Sequence, residues 1–133
     1  MKALKVVAIV VGVYALLVIA FETLIGISQP ESADTMVIET FDADGTAHPR
    51  VVTQIHVDER LYVAVNHWPR AWYRRALAMP AITVSIDGDP EPYLAVPVEG
   101  AEFERVNAAR PLGPIIKLLT GFPPRRLLRL DPA

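Results

Sequence analysis

Cysteine does not occur anywhere in the 133 residues. Disulfides, thiolate catalysis and cysteine-ligated zinc are therefore excluded, and the absence fits either side of a membrane. Histidine is scarce: His48, His56 and His67 are the three copies, and they form no H-x-H or HExxH pattern. A mononuclear site usually needs three or four ligands with a fixed second shell, so no metal is expected. The histidines read as surface or satisfied residues, with His67 ranked first because it sits beside Trp68 at a strand's end. No Ser-His-Asp pattern, glycine-rich phosphate loop or basic-aromatic nucleic-acid motif occurs, so no nucleic-acid partner is expected and no residue is singled out as catalytic. Basic residues are missing between Lys5 and Arg50, and every kind of charge is missing from residues 6–21.

That charge-free run, "VVAIVVGVYALLVIAF", continues past Glu22 to Ile27. About 20 helical residues cross the hydrocarbon of a bilayer, and a bilayer forces the backbone to pair internally. Residues 1–27 are read as a single-pass transmembrane anchor with the lipid bilayer as partner. Glu22 falls roughly 24 Å past Val6 along the helix, near the far interface, where it reaches headgroups or water. A cleaved signal peptide is the rival reading, but "AFETLIGIS" offers no small-x-small cleavage site. Lys2 and Lys5 precede the span, which puts the N-terminus in the cytoplasm and the domain outside. Residues 28–34 form a linker.

Residues 35–133 are long enough for one modest core. The pattern gives six short strands: "TMVIETF" (35–41), "RVVTQIHV" (50–57), "LYVAV" (61–65), "AITVSI" (81–86), "YLAVPV" (93–98) and "RRLLRL" (125–130). "DADG" marks a hairpin turn between the first two, and "DGDPEP" a turn before the fifth. Pro97 demotes the end of the fifth strand to an edge or bulge. "AWYRRALAM" follows Pro69 as a helix and stops at Pro80. Helices are also expected over 99–110 and 113–121, the latter capped by Gly121. The fold class is α+β: a small, mostly antiparallel β-barrel with short helices at its rim, preceded by the transmembrane helix.

The formal net charge of −2 hides an asymmetry. Glu31 to Glu59 holds seven acids and one base, whereas Arg105 to Leu130 holds six bases and no acid. The basic half faces an anionic cofactor, substrate or headgroup, or is ordinary solvated surface. On the helix after Pro69, Arg70, Tyr73 and Arg74 share one face and Trp72 and Arg75 another by the i, i+3, i+4 rule. Guanidinium groups bind phosphate bidentately and stack on rings, so an aromatic wall with an arginine clamp suits a flat phosphorylated ligand. In the competing reading Trp72 and Tyr73 anchor the core and the arginines are solvated. Thr53 and Gln54, mid-strand, can hydrogen-bond a ring edge, although Thr is also a good strand residue.

"PRAWYRRALAMPAITV" resembles the segment P-x-W-Y-x-N-L-x-x-N-P-x-V of the deazaflavin-dependent nitroreductase/quinone reductase family, which belongs with the pyridoxamine-phosphate-oxidase-like, FMN-binding split β-barrels. "ETFDADGTAHPRVV" looks like their first hairpin and "RRLLRLDP" like their last strand, so the resemblance covers about residues 36–131. It implies a split barrel, often a homodimer, with a deazaflavin coenzyme or FMN beside the second and third strands and the following helix. Carried over by position, Arg50 and Thr53 lie near the ring or its phosphate. His67, Trp68 and Arg70 line the loop, and Trp72, Tyr73 and Arg74 support it from the helix. Two departures stand out. The basic G-R-K-S-G stretch of deazaflavin-using relatives is "DADGTA" here, and Arg74 or Arg75 replaces the helix asparagine.

The implied function is a membrane-anchored oxidoreductase that passes hydride from the cofactor to a quinone or nitro-type acceptor. The alternative is a non-catalytic anchored module that binds a flavin, haem or lipid. A third reading is an envelope protein that uses the barrel only to dimerise.

Overall fold

The stretch expected as one strand over 50–57 breaks at Gln54 into β2 (Ala47–Thr53) and β3 (Ile55–Val57). They join β1 (Thr35–Phe41), β4 (Arg60–Val65), β5 (Ala81–Ile86), β6 (Asp89–Pro97) and β7 (Arg126–Pro132) in one antiparallel sheet of order β2-β1-β5-β6-β7-β4-β3. Six strands were expected and seven are found among the described residues, because that break creates the extra one. The computed structural model describes residues 1–28, 31–66 and 70–133. β2 and β3 are the two outermost strands of the sheet, yet one residue separates them in the chain. The sheet must therefore curl until its edges approach, giving a half-barrel. Gln54 fastens the junction to the start of β1: its backbone N–H donates to the Asp34 carbonyl at 2.9 Å and its side-chain amide to the Thr35 carbonyl at 2.7 Å.

Local chemistry sets the turns. The β3–β4 and β5–β6 hairpins have two-residue loops, Asp58-Glu59 and Asp87-Gly88, all four residues at positive φ. That sign is what a type I′ turn requires and what the right-handed twist of the strands favours. β6 starts at Asp89, four residues earlier than the sequence suggested, although it contains Pro90 and Pro92. The Pro92 carbonyl accepts from Ala133, on the side away from β5, so the missing N–H of Pro92 and of Pro90 two residues earlier removes no bond to β5. β5 starts at Ala81, opposite Leu94, so Pro97 lies past its reach.

Alternation along β4 and β7 divides the core in two. Leu61, Val63, Val65, Leu128 and Leu130 point into the barrel with Met36, Ile38, Ile82 and Val84. Tyr62 and Leu127 point outward and are covered by Val106 of α3 (Gly100–Ala109). α2 (Ala71–Ala78) adds Trp72, Tyr73 and Ala76 to the barrel interior. α4 (Pro114–Thr120) ends on Gly121 in the left-handed conformation, as expected. α1 (Lys2–Ile27) is one uninterrupted helix, long and apolar enough to cross a membrane. Its C-terminal half rests on the domain, and Tyr14 donates a 2.8 Å hydrogen bond to the Leu118 carbonyl.

Charge locks α3 onto the sheet. The Glu102 carboxylate accepts from the Tyr62 hydroxyl at 2.9 Å and twice from Arg129 at 2.9 and 3.0 Å. Arg129 also grips Asp131 with two hydrogen bonds. Burial works against the Glu102 charge, but the bonds from Tyr62 and Arg129 outweigh it and hold its pKa below the ordinary value. Hydrogen bonds from Arg129 lower the Asp131 pKa as well.

Two outcomes follow. A carboxylate with a folded-state pKa below its unfolded value stabilises the fold above the unfolded pKa and loses that contribution as pH falls through the folded one. Melting temperature should therefore drop as pH falls below about 4, and Glu102→Gln should flatten that drop in a pH series by circular dichroism. Glu59 holds a left-handed conformation that Gly88 holds in the sister turn. Glu59→Gly should raise stability by about 0.5–1 kcal/mol in urea unfolding, the relief of strain exceeding glycine's extra chain entropy.

Candidate functional site

Where the curled sheet's two edges approach, side chains leave a cavity of about 720 Å³. Its walls come from the last turn of α1 (Leu24, Ile25, Ser28), β2 and the junction (Arg50 to Ile55), the end of β4 (Ala64, Asn66), Trp72 of α2, residues 110–112, and Ile116 and Thr120 of α4. Arg125, just before β7, completes it. Apolar walls with a few convergent polar groups suit a small organic ligand, and the volume lies within the usual range for one.

Two of the cationic walls have no counter-charge. Arg125 donates to Asn66 Oδ1 at 2.9 Å, to Asn107 Oδ1 at 2.7 Å and to the Arg110 carbonyl, all neutral acceptors. Arg50 donates to the Gly26 carbonyl at 3.0 Å and the Ile25 carbonyl at 3.1 Å, also neutral. Burial pushes the pKa of both guanidiniums down from the ordinary value, and nearby Arg70 adds to the effect at Arg50. Among the described residues neither forms an ion pair with a carboxylate. Arginine stays charged despite such shifts. Among the described residues, Arg50 and Arg125 are therefore solvated by neutral dipoles.

Arg110 also lines the cavity, whereas Arg70 and Arg75 are committed elsewhere. Arg70 reaches α1, where Nη2 lies 2.7 Å from the Glu22 carboxylate and bonds the Glu22 carbonyl at 2.6 Å. A Cβ on Gly26 would stand 2.9 Å from Arg70 Nη1, so the glycine leaves room for this approach. Glu22, expected to reach headgroups or water, is thus the partner of Arg70. Together Arg50 and Arg70 bond the carbonyls of Glu22, Ile25 and Gly26, the negative end of the α1 dipole. Arg75 pairs with Asp42 at 2.8 Å, and His48 lies 2.6 Å from the same carboxylate. The hydrogen bond from His48, then that from Arg75, lowers the Asp42 pKa.

Of the residues singled out in the sequence, Arg50, Thr53 and Trp72 line the cavity. Tyr73 is buried in the barrel interior, 6.1 Å from Trp72 in an edge-to-face arrangement, with the Arg126 guanidinium 5.7 Å from its ring centre. Arg74 is exposed and lines a separate groove of about 330 Å³ with Arg75, Phe41 and Asp42. Tyr73 and Arg74 therefore do not share a face. His67 and Trp68 lie outside the described residues. His56 is exposed and contacts Gln54 Oε1 at 3.1 Å. No cluster of metal-ligating side chains occurs among the described residues. Arg125, Asn66 and the end of α1 were not singled out, although the basic stretch 105–130 contains Arg125.

No family model matches the sequence, and no curated protein matches it. Solved structures do share the fold. HutZ, the haem storage protein from Vibrio cholerae, is 19% identical with a TM-score of 0.56 over 77% of this chain and 83% of that one. An F420-H2-dependent reductase, FDR-A, is 16% identical with a TM-score of 0.56 over 74% and 94%. A Listeria innocua protein assigned as a pyridoxamine 5′-phosphate oxidase is 14% identical with a TM-score of 0.52 over 87% and 93%. At these identities the likeness is one of fold.

The Glu22–Arg70 pair joins helix to domain across 48 residues of chain. A double-mutant cycle with Glu22→Ala and Arg70→Ala, read by urea unfolding in mild detergent, should return a coupling of about 1–2 kcal/mol.

Proposed function

We propose that this chain is a membrane-anchored split-barrel oxidoreductase whose cavity binds a flat, anionic cofactor of the flavin or deazaflavin type. In this reading residues 1–27 are the anchor, 28–34 the linker and 35–133 the cofactor-binding domain. The observation that carries it is the pair of uncompensated guanidiniums, Arg50 and Arg125, in a cavity otherwise walled by apolar groups. Two half-buried cations without a carboxylate partner are costly, and an anion would complete the site.

The residues present fit such a group. Arg50 and Arg125 would hold its phosphate or acidic tail through charge-assisted hydrogen bonds. Trp72 gives the ring system an apolar wall, while Thr53, Gln54 and Asn66 offer hydrogen bonds to a polar ring edge. Once bound, the cofactor supplies the hydride chemistry, and the protein supplies orientation and the exclusion of water. A quinone or nitro compound is the acceptor class that the sequence resemblance implies, and a lipid-soluble acceptor accords with a membrane anchor.

Haem is the second reading, supported by HutZ, a haem storage protein with the same fold. Its propionates would use the same two arginines. Among the described residues no histidine lines the cavity, so no axial ligand is assigned there. Fold alone does not choose between these cofactors.

Titration of the protein in mild detergent with FMN, a deazaflavin and haem, followed by absorbance and fluorescence, tests the proposal. FMN or deazaflavin should bind at micromolar concentration. Arg50→Ala and Arg125→Ala should each weaken binding by about 1.5 kcal/mol, roughly tenfold. Arg74→Ala, outside the cavity, should leave affinity unchanged. Wild-type protein that binds none of the three, or arginine variants that bind as tightly as wild type, would overturn it.

A further inference from the structure

Between Arg110 and Arg125 the chain reads "PLGPIIKLLTGFPP", fourteen residues with Lys117 as the single charge. The segment leaves the domain and returns to the same place, because Arg125 donates to the Arg110 carbonyl and joins its two ends. α4 forms its middle. Although α4 rests against α1, Ile115 is 71% exposed, Phe122 62% and Leu118 51%, with Ile116 and Leu119 exposed beside them. An apolar patch of this density on so short a segment marks an interaction surface.

We propose that residues 111–124 insert into the lipid bilayer beside α1 as a second, re-entrant anchor. The proposal rests on the reading of α1 as a membrane span and extends it to a part of the domain. Three observations carry it. First, the apolar surface of α4 is continuous with that of α1. The Tyr14 hydroxyl bonds the Leu118 carbonyl, and Tyr14 lies near the middle of α1, roughly 18 Å from Lys2. A span that crosses with residues 2–27 sets Leu118 at the depth of the hydrocarbon.

Second, part of the segment's backbone is satisfied within the segment, which lowers the cost of entering a bilayer. Four of its residues, Pro111, Pro114, Pro123 and Pro124, have no N–H. The amides of Lys117, Gly121 and Phe122 donate to carbonyls within the segment, and the Thr120 hydroxyl bonds the Ile116 carbonyl at 2.7 Å. Third, charge is placed as an interface requires. Arg110 and Arg125 stand at the two ends, Arg50 and Arg70 grip the far end of α1, and the long stem of Lys117 lets its ammonium rise towards headgroups. Apolar stretches of this length are too short to cross and suit re-entry.

The absence of cysteine makes the test clean. The full chain is reconstituted into phosphatidylcholine vesicles as single-cysteine variants Ile115→Cys, Leu118→Cys and Phe122→Cys. Leu16→Cys in α1 serves as the lipid reference, and Glu104→Cys on α3 as the aqueous reference. Each carries a nitroxide, and collision rates with oxygen and with a water-soluble nickel chelate are compared by electron paramagnetic resonance. The oxygen-to-nickel ratio at 115, 118 and 122 should exceed that at 104 several-fold and approach that at 16. Ratios at all three sites equal to that at 104, with 16 still in lipid, would overturn the insertion and leave the anchor intact. An aqueous ratio at 16 would overturn the anchor and the insertion with it.

Discussion

The covalent junction at Gln54 is the constraint on which the rest of the molecule depends. It makes one continuous strand serve as both outer edges of a seven-stranded sheet. A flat sheet would hold those edges several strand spacings apart, about 4.8 Å each, which one residue cannot bridge. Curling follows from connectivity before any side chain is considered. The barrel interior, the α2 residues that fill it and the cavity where the edges approach are all consequences. The bonds from Gln54 to Asp34 and Thr35 fasten β1 to the same point.

The second organising force is electrostatic. On the outer face of the sheet charges are matched: Glu102 and Asp131 face Arg129 and Arg60. At the cavity they are not, since Arg50 and Arg125 meet only neutral oxygens. A protein this marginal in size has little stability to spare for isolated buried charge. The contrast between the two faces is what supports the proposal of a ligand site at the cavity. It also gives the end of α1 a structural role, because its free carbonyls are part of the dipole field that solvates Arg50.

Much of the architecture was legible because its signals are local. The first hairpin, α2 between Pro69 and Pro80, and the Gly121 cap each depend on a few adjacent residues. The break in "RVVTQIHV" was not legible, because the alternation runs through Gln54 and only the pairing partners change. β6 begins early because its prolines face away from β5, and a sequence does not show which side a neighbouring strand will take. Arg50, Thr53 and Trp72, which line the cavity, were named from a family resemblance, Trp72 also from its helix spacing. Arg125 was not, since its contact with Asn66 spans 59 residues. Arg70 was assigned to a ligand on the strength of its neighbours, while its partner Glu22 lies in a segment read as lipid-embedded.

Pro90 and Pro92 also bear on how this chain can meet another. Beyond the end of β7, β6 runs on without a neighbour on that side, the kind of bare margin at which sheets of separate molecules fuse and grow into fibres. Here the two positions whose amides would reach across that margin are prolines, and the Pro92 carbonyl is already taken by Ala133. At these positions the margin offers a foreign strand no amide donor, which weakens backbone pairing there. Contact between copies along this margin is thereby left to side chains more than to backbones.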